Sequence, residues 1–352
     1  MSSTWQQTMI DTPHGRHKGI APVIISASRS TDIPAFYGQW FMNRLQAGYV
    51  KWNNPFNASH PQYVSFDQTR VIVFWTKNAA PFERYLEQLD SLGLHYYFTF
   101  TVNDYEEEGF EPGVPPLGER IASFQRLSQR LGRERVIWRY DPLILTDELT
   151  VSALLARVKR VGHELAPYTD KLVFSFADID GYGKVKRNMT ACGVKWRTFG
   201  TDDRMTFAAR LAEMNIAWQL ELATCGEEIN LRQFGIQHNS CVDGDLMLRM
   251  FPHDNQLRKF LTSHSSAPAA PLSLFAGNID EEARLSVNAT HKDKGQRQSC
   301  RCVISKDVGQ YNTCPHHCVY CYANFSASIV AANYARANKT KNSESIVPAL
   351  AK

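Results

Sequence analysis

Apolar residues along this chain alternate between two periods. Short β-branched or aromatic runs recur as "PVIISAS" (22–28), "RVIVFWTK" (70–77), "HYYFTFTV" (95–102), "RVIWRY" (135–140), "KLVFSF" (171–176) and "IAWQLEL" (216–222). Between them lie stretches with helical spacing. "AAPFERYLEQLDSLG" puts Phe82, Tyr85, Leu86 and Leu89 on one face, and "LGERIASFQRLSQRLG" does the same with Ile121, Phe124, Leu127 and Leu131. Near-continuous apolar strands separated by amphipathic helices predict a parallel sheet covered by helices. Six such units favour an α/β fold of the (β/α) TIM-like, partial-barrel kind, although an open sheet satisfies the same pattern.

The pattern also divides the chain. Residues 1–20 are polar and read as an N-terminal extension, and 21–261 carry the strand–helix rhythm. The stretch 262–299, with "TSHSSAPAAPLSLFAGN", reads as a linker. Residues 300–336 hold a cysteine-rich segment with a helix to follow, and 337–352 read as a flexible tail.

In parallel α/β folds, chemistry gathers beyond the C-terminal ends of the strands. Those ends carry Ser26, Ser28 and Arg29, then Thr76 and Lys77, Thr101, Asn103 and Asp104, Arg139 and Asp141, Ser175 and Asp178, and Glu221 and Cys225. Polar residues there also serve simply to begin loops and cap helices. Arg139 and Asp141 either pair across the mouth or meet an anionic ligand. "DYEEEGFE" (104–111) and the basic "GKVKRNM" read as solvated surface.

Composition changes the picture little. The 352 residues are 43% hydrophobic and 21% charged with a net charge of +4, which is ordinary for a globular chain and too weakly basic to argue for nucleic acid. No apolar run reaches the roughly 18 residues of a membrane span, and the N-terminus has no apolar signal core. A cytoplasmic placement is therefore expected, where grouped cysteines read as metal or redox ligands before disulfides.

Eight cysteines are present. Cys314, Cys318 and Cys321, in "TCPHHCVYCYANFS", form C-x3-C-x2-C. Three thiolates hold three irons of a [4Fe–4S] cube and leave the fourth iron open, whereas a fully ligated cube takes four cysteines. A zinc site completed by His316 or His317 is the alternative. Cys225, Cys241, Cys300 and Cys302 are candidates for a second metal site, either a second cluster or zinc, while Cys225 and Cys241 also suit the role of small buried hydrophobes. Cys192 is left as a structural cysteine.

The C-x3-C-x2-C loop with Tyr320 before its last cysteine resembles the cluster motif of the radical S-adenosylmethionine (SAM) superfamily. More closely, "IISASRSTDIPAFYGQWFMNRLQAGY", "FWTKN", "VIWRYDPLI", "SKDVGQYNTCPHHCVYCYAN" and the Cys225–Cys241 segment resemble the DUF1848 family of bacterial proteins across nearly the whole chain. The superfamily resemblance implies a [4Fe–4S] cluster whose open iron binds SAM, reductive cleavage to a 5′-deoxyadenosyl radical, hydrogen abstraction from an unidentified substrate, and a flavodoxin- or ferredoxin-type electron donor. It implies that Tyr320 packs beside the adenine. Ser26, Ser28 and Arg29 would contact the aminocarboxylate, and Thr76, Lys77 and Thr101 the nucleoside, with Arg139 a further cofactor contact. One departure is large: the superfamily carries this loop near the start of its domain, and here it comes last. "STDIPAFY" (30–37), "WTKN" (75–78) and "FTFTVND…FEPGVPPLGER" (98–120) follow the order of the spore photoproduct lyase-like branch. A circular permutation is therefore expected, with 300–322 standing where a first strand would be; chain ends often lie close together. The runner-up reading is a non-catalytic iron–sulfur or zinc protein for electron transfer or binding. A barrel hydrolase using Asp141 or Glu221 is a third, and it leaves the cysteines without a role.

Overall fold

The structure is a computed structural model, and it describes residues 5–54, 60–262, 292–293, 295–297 and 299–348. Its strands are β1 (Gln6–Thr12), β2 (Gly15–Ala21), β3 (Ile24–Ala27), β4 (Tyr49–Trp52), β5 (Gln62–Ser65), β6 (Val71–Thr76), β7 (His95–Thr101), β8 (Val136–Leu143), β9 (Leu145–Thr146), β10 (Lys171–Phe176), β11 (Trp196–Arg197), β12 (Glu221–Thr224), β13 (Ile236–His238) and β14 (Lys306–Asp307). Eight of them form one sheet in the order β13-β12-β10-β8-β7-β6-β3-β14, and every neighbouring pair is parallel. The expected α/β architecture with a large parallel sheet is thus present.

Alternation along the strands sorts their side chains onto two buried faces. Ile25, Ile72, Phe74, Phe98, Trp138, Leu172 and Phe174 join the core beneath the helices. Ile24, Val71, Val73, Tyr97, Ile137 and Val173 point the other way, onto Val242, Leu246, Met247, Phe251, Leu257 and Leu261 and onto Val303. Helices Gly244–Met250 and Asn255–Thr262 therefore fill the second face of the sheet. Burial on both faces is why these strands read as continuous apolar runs.

Three expectations need correction. Of residues 1–20, read as an N-terminal extension, those from Gln6 on build, with Ala21, the β1–β2 hairpin of a second sheet, ordered β1-β2-β5-β4. Their polar text reflects a sheet with mostly one buried face. "IAWQLEL" is not one strand: helix Thr201–Trp218 runs through Ile216 and Trp218, and β12 starts only at Glu221. The tail does not fray through 348. Ile346 and Val347 are buried, the Trp40 indole N–H donates to the Ser343 carbonyl at 2.9 Å, and the Lys51 N–H donates to the Glu344 carbonyl at 2.8 Å. Helix Ala327–Lys339 precedes it, capped by the Ser326 hydroxyl accepting from the Ile329 N–H. The predicted linker falls almost entirely on residues outside those described.

β14 is two residues long, yet it sets the position of everything after it. Lys306 pairs with Ile25 and Asp307 with Ser26. The segment then crosses the C-terminal ends of β3, β6 and β7. Gly113 and His316 exchange backbone contact there, the Gly113 N–H donating to the His316 carbonyl at 2.9 Å, and the Val319 N–H donates to the Phe110 carbonyl at 2.9 Å. A Cβ on Gly113 would lie 2.9 Å from the His316 Cα and closer still to the Pro315 carbonyl oxygen. Gly113→Ala is therefore expected to lower unfolding stability by about 1–3 kcal/mol in a denaturant titration, as overpacking does. Gly118→Ala, in open space, should leave it unchanged or slightly higher.

Candidate metal centre

The loop bearing the three cysteines is pinned at its base by Asp307. One carboxylate oxygen accepts from the Ser26 hydroxyl at 3.0 Å and the Arg29 N–H at 2.8 Å, and the other accepts from the Gly309 N–H at 2.9 Å. Charge-assisted hydrogen bonds of this kind are worth roughly 1.5–3 kcal/mol each. Gly309 is required at this crossing, because a Cβ would lie 2.5 Å from the Ser30 Oγ and 2.6 Å from the Ser28 Cβ. Further along, the Tyr37 hydroxyl donates to the Thr313 carbonyl and the Asn324 amide to the Cys314 carbonyl at 2.8 Å. Asn312 and His317 take left-handed φ angles of 61° and 52°, which turn the chain sharply on either side of Cys314.

Beneath the loop lies a buried polar network. The Lys77 ammonium donates to Glu111 at 2.7 Å and to the Tyr320 hydroxyl at 3.0 Å; Asn103 donates to Glu111 at 2.9 Å and to Tyr320 at 3.1 Å. Tyr320 in turn donates to Glu111, and Arg120 stands 3.6 Å from its second oxygen. Burial alone would raise the Glu111 carboxyl, but the Lys77 and Arg120 cations and the two donated hydrogen bonds outweigh it and hold it at about 2. Burial and the adjacent Glu111 charge push the Tyr320 phenol well up, so it keeps its proton. Asp32 links the network to the loop, accepting from the Lys77 N–H at 2.7 Å and facing His316 Nε2 at 2.8 Å. The other ring nitrogen of His316 faces the Gly113 carbonyl at 3.0 Å. Both ring nitrogens of His316 are thus engaged by protein groups.

Cys314, Cys318 and Cys321 stand close enough for each to feel the others' charge. Burial, then the Asp32 charge, pushes the Cys314 thiol up to about 12, and burial pushes Cys318 well above its ordinary value against the pull of Lys77. These are thiols that give up their protons to a cation rather than to water. Three soft donors on a short loop, with Lys77 opposite, suit an iron–sulfur cluster by chemistry. Among the described residues, no group of three or more His, Cys, Asp or Glu side chains is placed to hold a metal ion as it stands.

The remaining predicted residues divide. Ser26, Thr101, Arg139, Asp141 and Ser175 lie on the second face of the sheet by strand alternation, in phase with Ile24, Tyr97, Ile137 and Val173. Ser28 and Arg29 follow β3, with the Ser28 hydroxyl shared with Ser30 at 3.1 Å. Thr76 is in phase with Phe74 and faces the helices, its hydroxyl accepting from the Asn78 N–H at 2.9 Å. Glu221 stands at the start of β12, ion-paired with Lys171 at 2.9 Å, at the opposite end of the sheet from the loop; the misplaced strand boundary above is the cause. Asp178 caps its own turn, accepting from the Gly181 N–H at 3.0 Å. "DYEEEGFE" is not all solvated: Asp104 is buried against Arg160, and Glu111 is central. In "GKVKRNM", Lys184 reaches the Tyr322 carbonyl at 3.2 Å. Cys192 is exposed and takes no part. Cys225, Cys241, Cys300 and Cys302 come together elsewhere, with the Arg139 guanidinium donating to Cys241 at 2.8 Å.

Sequence reasoning missed Asp32, Trp75, Glu111 and Asp307. Trp75, half-buried, is flanked by two guanidiniums, Arg29 at 5.1 Å and Arg139 at 5.3 Å from its ring. Only Trp75 carried a usable signal: it sits in phase with Val71 and Val73 and so lies on the second face of the sheet.

The fold and site define an α/β protein with one long parallel sheet and a cysteine loop laid across the ends of its strands. The chain belongs to the family described as "Domain of unknown function (DUF1848)", whose model matches residues 24–323. No curated protein and no solved structure matches the chain. Among the described residues, no helix is long and apolar enough to cross a membrane.

The depressed Glu111 carboxyl carries a pH signature. Its folded value, about 2, lies below the ordinary 4.5, so the stability it contributes is complete above about 4.5 and is lost as pH falls toward 2. In acid titrations followed by circular dichroism, Glu111→Gln should lose that pH-dependent component. At neutral pH it should also be destabilised by about 3–5 kcal/mol, because Lys77 and Arg120 are left without their buried counter-charge.

Proposed function

We propose that this chain is a radical SAM-type iron–sulfur enzyme, with its parallel sheet a partial (β/α) barrel permuted so that the segment ending in β14 takes the first strand's place. The observation that carries this reading is the pairing of β14 with β3. The cysteine loop leaves the C-terminal end of an edge strand, immediately beside β3, which carries Ser26 and is followed by Ser28. Read from β14 through β3, β6, β7, β8, β10, β12 and β13, the strands follow the order of an unpermuted barrel whose cluster loop comes first.

On this reading Cys314, Cys318 and Cys321 hold the cluster. With a bound [4Fe–4S] cluster leaving one iron open, the site would have a low-potential electron for reductive cleavage of SAM to methionine and a 5′-deoxyadenosyl group able to take hydrogen from substrate. The protein's part is positioning and charge. Lys77 faces Cys318 and offsets thiolate charge, and Glu111 fixes Lys77 in place. Ser26, Ser28 and Arg29 offer a hydroxyl, a second hydroxyl and a cation toward an aminocarboxylate. Thr101 and Lys77 serve the nucleoside; Thr76, turned to the helices, does not. Tyr320 is fixed by three polar partners beneath the loop and presents its ring toward the cofactor space. Arg139, Asp141 and Ser175 are hydrogen-bonded together on the second face of the sheet and suit a polar substrate of a class left open. A low-potential donor of the flavodoxin or ferredoxin type follows from the chemistry.

The test is anaerobic reconstitution with iron and sulfide, then dithionite and SAM. Formation of 5′-deoxyadenosine is expected, with its loss, and loss of most of the iron, in Cys318→Ala. A colourless zinc-bound protein, or unchanged SAM cleavage by Cys318→Ala, would overturn the reading in favour of a non-catalytic metal protein or another site.

A further inference from the structure

We propose that Cys225, Cys241, Cys300 and Cys302 hold one divalent, thiophilic ion of the zinc type, and that this ion ties together the two edges of the parallel sheet. The site is separate from the three-cysteine loop and does not depend on the radical reading.

The position of the four residues is the first ground. Cys225 follows β12 directly and Cys241 lies three residues past β13, at one edge of the sheet; Cys300 and Cys302 precede β14, at the other edge. They are far apart in sequence and yet their thiols touch in a chain. The Cys225 and Cys241 sulfurs are 3.4 Å apart, Cys241 is hydrogen-bonded to Cys302, and Cys302 to Cys300. In a tetrahedral zinc site with Zn–S of about 2.3 Å, ligand sulfurs lie about 3.8 Å apart. The observed contact is close to that spacing. The thiols form a chain rather than a shell, consistent with the absence of a ready-made ligand set among the described residues, so ligation would turn the side chains toward a shared centre.

The surroundings are the second ground. Metal-bound thiolates accept N–H donors and sit near cations. The Asn239 amide donates to Cys241 at 2.9 Å, the Val242 N–H to Cys302 at 3.3 Å, and the Arg139 guanidinium to Cys241 at 2.8 Å. Arg29 Nη2 is buried with no hydrogen-bond partner, and this guanidinium lies near Cys302 and Asp307. Four neutral thiols give two buried guanidiniums little in return. Four thiolates around a dication carry a net charge of −2, which Arg29 and Arg139 face, with Asp141 and Asp307 taking part of their charge. Binding releases four thiol protons to solvent and changes no oxidation state.

The consequence is structural. Beside the thiols, the Val303 N–H donates to the Val242 carbonyl at 2.9 Å, the Ser240 hydroxyl to the Arg301 carbonyl at 3.0 Å, and the Ser299 hydroxyl to the Gly226 carbonyl at 3.1 Å. No β13–β14 ladder joins the edges among the described residues. The ion would supply that closure and fix the approach to β14, and with it the three-cysteine loop.

The experiment uses the full chain carrying Cys314→Ala, Cys318→Ala and Cys321→Ala, which removes the other thiol site, titrated anaerobically with Co²⁺. One equivalent is expected to bind with thiolate-to-cobalt charge-transfer bands and tetrahedral ligand-field bands, displaced by Zn²⁺. Adding Cys241→Ser or Cys302→Ser should abolish that spectrum, and adding Asn239→Ala should weaken binding about 10–100-fold while preserving it. Alkylation of the unmodified chain, mapped by mass spectrometry, guards against misfolded variants: Zn²⁺ should protect these four cysteines together. The proposal is overturned by absence of cobalt binding, by a spectrum indifferent to the serine changes, by a Cys225–Cys241 disulfide in reduced preparations, or by an iron–sulfur chromophore that survives in the triple variant.

Discussion

The two-residue pairing of β14 with β3, clamped by the Asp307 carboxylate, is the contact on which the rest of the arrangement depends. Two strand residues contribute few ladder hydrogen bonds and little area. The clamp compensates by holding three donors from two segments on a single charge: Ser26 Oγ, the Arg29 N–H and the Gly309 N–H. It sits where the chain must turn from strand into loop, so it also fixes the direction in which Cys314, Cys318 and Cys321 leave the sheet.

Electrostatics reinforce that placement from below. Glu111 is buried beside Lys77 and Arg120, and Tyr320 completes the group from the loop. A buried charge without partners is costly, and a buried set with matched partners resists rearrangement. The tyrosine between two cysteines therefore locks the loop to the strand ends. The same logic operates on the far side of Trp75, where Arg29 and Arg139 meet the second set of thiols. Trp75 lies in the same buried cluster as those four cysteines, with Arg29 and Arg139 over its ring.

Much of this was legible in the sequence, for reasons that are local. Strands buried on two faces need apolar residues at successive positions, so β6, β7, β8 and β10 announce themselves. Helical spacing marks Leu117–Leu131 in the same way. Cysteine spacing is also local, and Cys314, Cys318 and Cys321 are a unit in any fold. What failed was equally physical. Ile216 and Trp218 are apolar enough to pass for strand, which moved the start of β12 and brought Glu221 to the wrong end of the sheet. Residues 6–21 are polar because their sheet has mostly one buried face. Glu111 looked solvated because three acidic neighbours precede it, and nothing nearby in sequence reveals Arg120 or Lys77 as its partners.

By itself the sequence determined the parallel α/β class, the helical and strand periods, and the existence of a three-thiol loop, because each of these is written in spacings shorter than about ten residues. Tertiary structure alone decided where that loop goes. It took a partner some 280 residues distant, Ser26 for Asp307, to lay the loop over the strand ends, and contacts across 60 to 73 residues to bring the Cys225 and Cys241 segment to Cys300 and Cys302. Hydrogen bonds and thiol contacts of that range leave no periodic trace in a chain, since they depend on which strand edges are left unpaired once the sheet has formed.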